Sequence, residues 1–268
     1  MDVERYGPWG LVAGASEGIG AAFAERLARE GLNLVLVARR ARPLEQLAGR
    51  LRAECGVEIR TIATDLSHPE AVDKVERGCA DVEIGLLVCN AGAAPAMADL
   101  LDQPDEEALR LTYLNTIGQT AFAVRFGKPM RQRGSGGIIL MGSLAYASGV
   151  GRLATYAASK AYSAILAEGL WYELRPYGVD VLCVVGTTTR TPAMVKMGMP
   201  LDNPAYPVVE PSQVAEEALS ALGGGPLWHM DGSEGIARAI QAMPRAEAVE
   251  TVSKAMEQAV PPGARAAT

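Results

Sequence analysis

Histidine is nearly absent from this chain. Among 268 residues only His68 and His229 carry an imidazole, and neither has a companion at metal-ligand spacing. Ser–His–Asp catalysis and histidine-built metal centres therefore have little to work with, and no metal is expected. Cysteine is scarce too: Cys55, Cys79, Cys89 and Cys183 are scattered with no CxxC, the pattern of free thiols in a reducing compartment. No run approaches the roughly 18 apolar residues that a membrane span needs. Basic charge is not in surplus, with Lys+Arg 25 against Asp+Glu 31 and a net charge of -6. That balance argues against nucleic acid or an anionic membrane as the main partner. The opening MDVERYGPWG has acids where a secretory leader has bases, so a cytoplasmic protein is expected. Interdomain linkers and repeats are missing as well, which leaves residues 1–268 as one expected domain.

What the chain does have is a recurring unit, a short apolar run followed by a segment with helical spacing. Such runs are Gly10–Ala13, Leu32–Ala38, Glu58–Ala63, Ile84–Cys89, Gly137–Gly142 and Val179–Val185. Helical segments follow at Gly18–Glu30, Pro43–Glu54, Pro69–Gly78, Glu106–Gln132 and Thr155–Leu174. Fully apolar strands alternating with helices imply an α/β chain with a doubly wound, mainly parallel sheet covered on both faces. In such sheets ligands bind beyond the carboxyl ends of the strands, so the chemistry belongs just after each run.

The first strand end reads Gly14-Ala15-Ser16-Glu17-Gly18-Ile19-Gly20 and opens directly into a helix. Glycines there let the backbone approach a pyrophosphate while the helix N-terminus offers amide donors; plain strand–helix turns also use glycine. The second ends Ala38-Arg39-Arg40, with no acid to accept from a ribose 2′-hydroxyl. Arg39 and Arg40 suit a 2′-phosphate, which favours NADP(H) over NAD(H); as solvated surface charges they carry no such meaning. At the third, Asp65-Leu66 offers a carboxylate to an adenine amino group or to the start of the next helix. The fourth, Asn90-Ala91-Gly92, lets the chain pass close to a ribose, or is a turn. The fifth ends at Ser143, and Tyr156 and Lys160 follow at a spacing of four, on one helical face.

Taken together and in this order, these residues resemble the short-chain dehydrogenase/reductase family from about Trp9 to Thr191. GASEGIG is similar to its cofactor loop, Asn90-Ala91-Gly92 to its NAG motif and Tyr156…Lys160 to its YxxxK. The resemblance implies a Rossmann-type fold, a nicotinamide cofactor, and Asn115, Ser143, Tyr156 and Lys160 as the catalytic set. Chemistry agrees with those roles. A phenol ionises near 10, so a tyrosine acid–base needs a cation such as the Lys160 ammonium to favour its anion. Tyr156 then exchanges a proton with the substrate oxygen, and Ser143 hydrogen-bonds the same oxygen. Asn115, mid-helix in LTYLNTIGQT, holds a water linking Lys160 to solvent, or is a polar residue satisfied between helices.

One departure stands out. Where the family has Pro-Gly after the sixth strand, this chain has Gly186-Thr187, which should loosen the turn beside the nicotinamide. Thr189 and Thr191 remain expected contacts. The following Pro192–Pro211 stretch, with Met194, Met197, Met199 and Tyr206, corresponds to a mobile substrate lid near 190–212 in the family. Methionines make an adaptable apolar surface, so Met194 and Met197 are expected to meet a small hydrophobic ketone or secondary alcohol, steroid-like or otherwise bulky; they can equally pack on the fold. Beyond Gly223, Pro226–Met230 reads as an edge strand and Ile236–Ala259 as one or two amphipathic helices, an expected C-terminal extension near 232–260 similar to that of a bacterial subgroup. The small residues around Tyr156 suit close helix packing in a homodimer or homotetramer. Two other readings stand beside the leading one. A 3-oxoacyl-thioester reductase would want a basic rim for a carrier phosphate, where only Arg190 and Lys196 are available. A catalytically silent NADP-binding regulator would usually lack the tyrosine or lysine that this chain keeps.

Overall fold

The apolar runs become strands because residues that are apolar on both sides of a pleat can be hidden only in a layer covered on both faces. The computed structural model describes residues 2–202, 208–230 and 232–260. Its strands are β1 (Trp9–Ala13), β2 (Asn33–Ala38), β3 (Ile59–Ala63), β4 (Ile84–Cys89), β5 (Gly136–Met141), β6 (Val179–Val185) and β7 (Leu227–His229). They form one sheet in the order β3-β2-β1-β4-β5-β6-β7, every neighbouring pair parallel. The order reverses between β1 and β4, the switch point at which a doubly wound sheet opens a crevice. The expected fold class is thus the observed one.

Alternation along each strand sorts the core into two layers. Leu34, Leu36 and Ala38 of β2 face one layer, with Phe23 and Leu27 of α2 (Gly18–Arg29), Leu44 and Leu51 of α3 (Ala41–Cys55) and Val214 of α9 (Pro211–Ala221). Val35 and Val37 face the other, with Val75 of α4 (Glu70–Gly78), Phe122 and Phe126 of α6 (Ile117–Arg133) and Ala167 of α7 (Ala154–Leu174). The N-terminal turn α1 (Val3–Tyr6) closes the amino end of the sheet, where Tyr6 Oη donates to Asp180 Oδ2 at 2.6 Å. All chemistry expected from the sequence lies at the opposite, carboxyl end.

Two helical expectations change. The long helix over Glu106–Gln132 is two helices, α5 (Asp105–Asn115) and α6, broken at Thr116, whose backbone leaves the helical region at φ -127°, ψ -75°. Thr112, Thr116 and Thr120 each turn their hydroxyl onto the carbonyl four residues back. Such back-bonding bends helices, and three in a row accompany the break here. Asn115 is therefore the last residue of α5 and not a mid-helix residue. The lid stretch holds the short α8 (Pro192–Met197), and between it and the edge strand lies α9, absent from the sequence reading although it fills one core layer. The tail forms α10 (Ser233–Ala242) and α11 (Arg245–Ala259), separated at Pro244. Among the described residues no helix is long and apolar enough to cross a membrane.

Candidate active site

The glycine loop after β1 is built from backbone pressed against backbone. Gly14 holds φ +87° and Gly18 φ +58°, values that favour glycine. A Cβ at Gly20 would lie 2.0 Å from the Gly14 carbonyl oxygen, and one at Gly14 2.8 Å from the Ala91 backbone. Asn90 Nδ2 donates to Gly14 O at 2.8 Å, so the first residue of Asn90-Ala91-Gly92 fastens the loop. A Cβ at Gly18 would meet the Thr191 methyl at 3.2 Å, which brings the segment after β6 against the same loop. Ser16 is half-buried, and Ile19 packs on the core layer beneath it. The result is a bare cradle at the N-terminus of α2, the form a pyrophosphate requires.

The charged residues lie at the outer rim of this cradle. Arg40 Nη2 pairs with Glu17 Oε2 at 2.5 Å across the loop. Arg39 is more open, its side chain 64% exposed and 4.0 Å from Asp65 Oδ2. Asp65 Oδ1 accepts from the Ser67 amide at 3.0 Å and the Ser67 hydroxyl at 2.7 Å. Burial opposes its ionisation, but these bonds and the Arg39 charge hold the carboxyl below its usual range. One oxygen of Asp65 thus belongs to the local turn, and the other faces Arg39. Leu66 beside it is buried. Sequence reasoning passed over Arg110, whose guanidinium clasps Glu107 with two bonds of 2.9 Å and whose charge also reaches Asp65.

Tyr156 and Lys160 sit in the first turns of α7, just past the end of β5. Lys160 is 6% exposed; its Nζ donates to Met141 O at 2.7 Å and stands 5.5 Å from the centre of the Tyr156 ring. A buried ammonium keeps its charge only where such partners replace water. Gly92 lies close by: a Cβ there would make an ordinary contact with Lys160 Nζ at 3.7 Å but would crowd Asn115 Oδ1 at 3.1 Å. Asn115 is buried, and its carboxamide is engaged at both ends with Ala93, accepting from the amide at 3.0 Å and donating to the carbonyl at 2.8 Å. Its side chain therefore fastens the stretch after β4, a loop and not a second helix. Ser143 Oγ accepts from the Ala145 amide at 3.3 Å, which leaves the hydroxyl proton to be donated elsewhere.

After β6 the missing proline is compensated by cross-links. The Leu144 amide donates to Gly186 O at 2.9 Å, the Val209 amide to Thr188 O at 3.0 Å and the Arg190 amide to Val209 O at 2.9 Å. Thr189 is buried with its hydroxyl on Thr187 O at 3.2 Å, and Thr191 Oγ1 caps α8 by accepting from the Met194 amide at 3.3 Å. Thr187 differs: its Oγ1 is buried with no partner. A buried hydroxyl without a partner is costly and marks a place where a ligand group fits. Met194 and Met197 are half-buried on α8, and Tyr206 lies outside the described residues. Arg190 is fully engaged by Asp202 and Glu210, both at 3.0 Å, so the sparse basic rim is sparser still.

Two further features lie off this centre. A cavity of about 470 Å³ opens beside β7 and the start of α10, lined by Glu217, Trp228 and His229 among others and by none of the expected site residues. His229 Nε2 meets Tyr146 Oη at 2.9 Å, and burial lowers the imidazole pKa, which keeps it neutral. Among the described residues no group of three or more His, Cys, Asp or Glu side chains is placed to hold a metal ion.

Comparison with known proteins gives four findings. A family model for short chain dehydrogenases matches residues 9–200. A 7beta-hydroxysteroid dehydrogenase of Clostridium sardiniense is 32% identical over 222 residues, 82% of this chain and 84% of that protein. A very-long-chain 3-oxoacyl-CoA reductase-like protein of Arabidopsis thaliana is 32% identical over 234 residues, 84% of this chain and 75% of its own length. Among solved structures, a short-chain dehydrogenase from Sphingobium yanoikuyae in complex with NADPH superposes with a TM-score of 0.76 at 33% identity, covering 96% of this chain and 97% of that one.

Proposed function

The chain belongs to the short-chain dehydrogenase family, and we propose that within it the protein is an NADP-dependent oxidoreductase of hydrophobic ketones or secondary alcohols. The observation that carries this reading is the buried Lys160 ammonium held between Met141 O and the Tyr156 ring at the carboxyl end of β5. A tyrosine beside a buried cation, near a serine whose proton is free, is an arrangement for proton exchange with a substrate oxygen.

When bound, NADP(H) supplies or accepts the hydride. The residues fit it: Gly14, Ser16, Gly18 and Gly20 with the N-terminus of α2 would cradle its pyrophosphate. Arg39 would take the 2′-phosphate, with Arg40 held in reserve by Glu17, and Asp65 and Leu66 would border the adenine. Asn90, Ala91 and Gly92 would line the ribose side, and the unpartnered Thr187 hydroxyl would meet the carboxamide, ahead of Thr189 and Thr191, whose hydroxyls are already engaged. Preference for NADP over NAD rests on Arg39 and on the absence of an acid at Ala38.

In the reducing direction, Ser143 donates a hydrogen bond to the carbonyl oxygen, keeping its own proton, and fixes the reacting carbon. Tyr156 releases its phenol proton to that oxygen as negative charge builds on it. Lys160 stabilises the phenolate that remains. Asn115, by fastening Ala93, fixes the stretch after β4 that runs beside Lys160 and acts as a positioning residue. Oxidation runs the same steps backwards.

The relative from Clostridium sardiniense supports a bulky apolar carbonyl as substrate, and the Arabidopsis relative supports a 3-oxoacyl thioester. The engagement of Arg190 by two acids favours the first, because it leaves Lys196 alone to meet a carrier phosphate. Ile165 and Tyr172, well exposed on α7 together with Leu109 on α5, support a homodimer or homotetramer. Four unpaired cysteines suit a cytoplasmic setting. The test is a side-by-side fluorescence titration with NADPH and NADH. NADPH should bind at least tenfold more tightly; equal affinities would remove the role given to Arg39, and no binding of either would remove the dinucleotide reading.

A further inference from the structure

His229 is one of two histidines in the chain, and the reaction proposed above gives it no part. It ends β7, where its backbone pairs in register with Val185 of β6, the residue before Gly186. Its Nε2 lies 2.9 Å from Tyr146 Oη, and the two rings stand 5.8 Å apart at an angle of 49°. Tyr146 belongs to the short 3-10 turn Leu144–Ala147, which Ser143 caps. The Tyr146 amide donates to Ser143 O at 3.0 Å, so the ring that His229 holds stands one turn beyond the serine assigned to the substrate oxygen.

The Ser143 turn is thereby tied to the β6–β7 edge at two points. The Leu144 amide donates to Gly186 O at 2.9 Å on one side, and the Tyr146 hydroxyl meets His229 on the other. Tyr146 also packs on the core layer that holds Leu140 and Ala167. The Ser143 hydroxyl itself has only the long 3.3 Å bond from the Ala145 amide. A side chain held so loosely takes its direction from the turn that carries it.

Among the described residues, the titratable and charged groups around the pair are Glu234 and Arg238 of α10, Glu217 of α9, Glu168 of α7 and Cys183 of β6. Glu217 Oε2 accepts from Trp228 Nε1 at 3.1 Å and Glu234 pairs with Arg238, so both carboxylates that line the cavity with His229 are already engaged. Burial pushes the Cys183 thiol up to about 12 and keeps it neutral. Burial also raises the Tyr146 phenol, while Gln241 of α10 works the other way, as a donor to the phenol oxygen does. The phenol proton is thus left for Nε2, which accepts it while the imidazole is neutral; an imidazolium has a proton on both nitrogens and accepts nothing. The cavity of about 470 Å³ that His229 lines gives protons a route to the ring.

We propose that His229 is a positioning residue for Ser143: by accepting from Tyr146 it fixes the turn that carries the serine, and its protonation releases that hold. The inference rests on the oxidoreductase reading above. In the reducing direction Tyr156 works in its protonated form, so falling pH does not by itself disarm it. An acid limb in ketone reduction therefore reports a second group, and for His229 it should lie below the ordinary imidazole value of 6.5, because burial outweighs the Glu234 charge.

The test uses the full chain, saturating NADPH and two probe ketones, cyclohexanone and estrone, from roughly pH 5 to 8. The parent's kcat should fall about threefold or more along the acid limb. His229→Gln, which keeps a neutral acceptor at every pH, should lose that limb and stay within about threefold of the parent near neutrality. His229→Leu and Tyr146→Phe should each lower kcat about fivefold or more with NADPH affinity kept, and the double variant should be no worse than either. A parent without the limb, a glutamine variant that retains it, or a leucine variant with parental kcat overturns the proposal. If the leucine variant fails to fold, Tyr146→Phe carries that comparison.

A readout independent of turnover separates this inference from the function it rests on. With two histidines in the chain, the His229 ring signal in magnetic resonance is identified by its loss in His229→Gln. The Ala145 and Tyr146 amides should shift with the same pH midpoint as that ring and stay in place in the glutamine variant. Coincident midpoints without turnover of either ketone would sustain the link and refute the catalytic reading. Turnover with the amides unmoved would refute the link and sustain the catalysis, and unmoved amides with no turnover would refute both.

Discussion

The two sides of the reaction centre are made by different means. The cofactor side is backbone against backbone, with Gly20 facing Gly14 and Gly14 facing Ala91 at distances that exclude even a methyl group. The tyrosine side is side chain against side chain: Tyr156, Met97, Val252 and Met256 all pack against Val150, Leu153 and Ala157, from segments far apart in the chain. Backbone contacts admit no substitute, so they leave a sequence motif. Apolar side-chain contacts tolerate exchange of volume and shape, so they leave none. The same centre can therefore hold one cofactor and, with different walls, many substrates.

Four substitutions would break or sharpen that contrast. Tyr156 belongs to both sides, and its replacement should have the largest effect: Tyr156→Phe should reduce turnover about 10³-fold, the scale of a lost general acid. NADPH affinity should stay within a few-fold, and surviving turnover would sink the assignment. Gly20→Ala tests the backbone side. With a methyl directed at Gly14 O it should cost about 3 kcal/mol, roughly 6–12 °C in Tm, and should abolish NADPH binding. A variant with parental Tm and affinity would show that the loop is not so closely packed.

At the cofactor rim, Arg39→Ala should weaken NADPH roughly 10- to 100-fold and leave NADH unchanged, because one charge-assisted contact to the 2′-phosphate is removed. Calorimetry with both nucleotides decides it, and an equal loss for both would make Arg39 a general electrostatic contributor only. The smallest effect should come from the apolar cluster that Tyr156 and α11 share. Val252→Ala removes more atoms than Gly20→Ala adds, yet at a half-buried site it should cost about 1 kcal/mol or less in thermal unfolding. A loss as large as that of Gly20→Ala would erase the distinction between the two sides.

Legibility followed the same division. All seven strands sit within a residue of the runs read for them, most plainly β1, β2, β4, β5 and β6, where burial on both faces imposes near-unbroken hydrophobicity. The break at Thr116 was hidden because α5 and α6 share one continuous helical pattern, and only the threonine hydroxyls on Ala108, Thr112 and Thr116 mark it. Helix α9 was missed because its short apolar stretch sits in a proline-rich region that reads as a lid. The relative standing of the threonines after β6 was likewise invisible: Thr187, Thr189 and Thr191 look alike in sequence, and only their hydrogen bonds separate the unpartnered hydroxyl from the engaged ones.

What the sequence determined by itself was the sheet, the glycine cradle, and the tyrosine, lysine and serine at the strand ends. Each follows from a local constraint: pleat periodicity, backbone clearance, or a spacing of four on one helix. What only the tertiary structure decided was that Arg40 is taken by Glu17 while Arg39 stays open, that Asn115 fastens Ala93, and that a C-terminal helix packs on the same apolar cluster as Tyr156. Those outcomes depend on which residues meet across tens or hundreds of positions of chain, and the contacts that settle them arise only once the layers have packed.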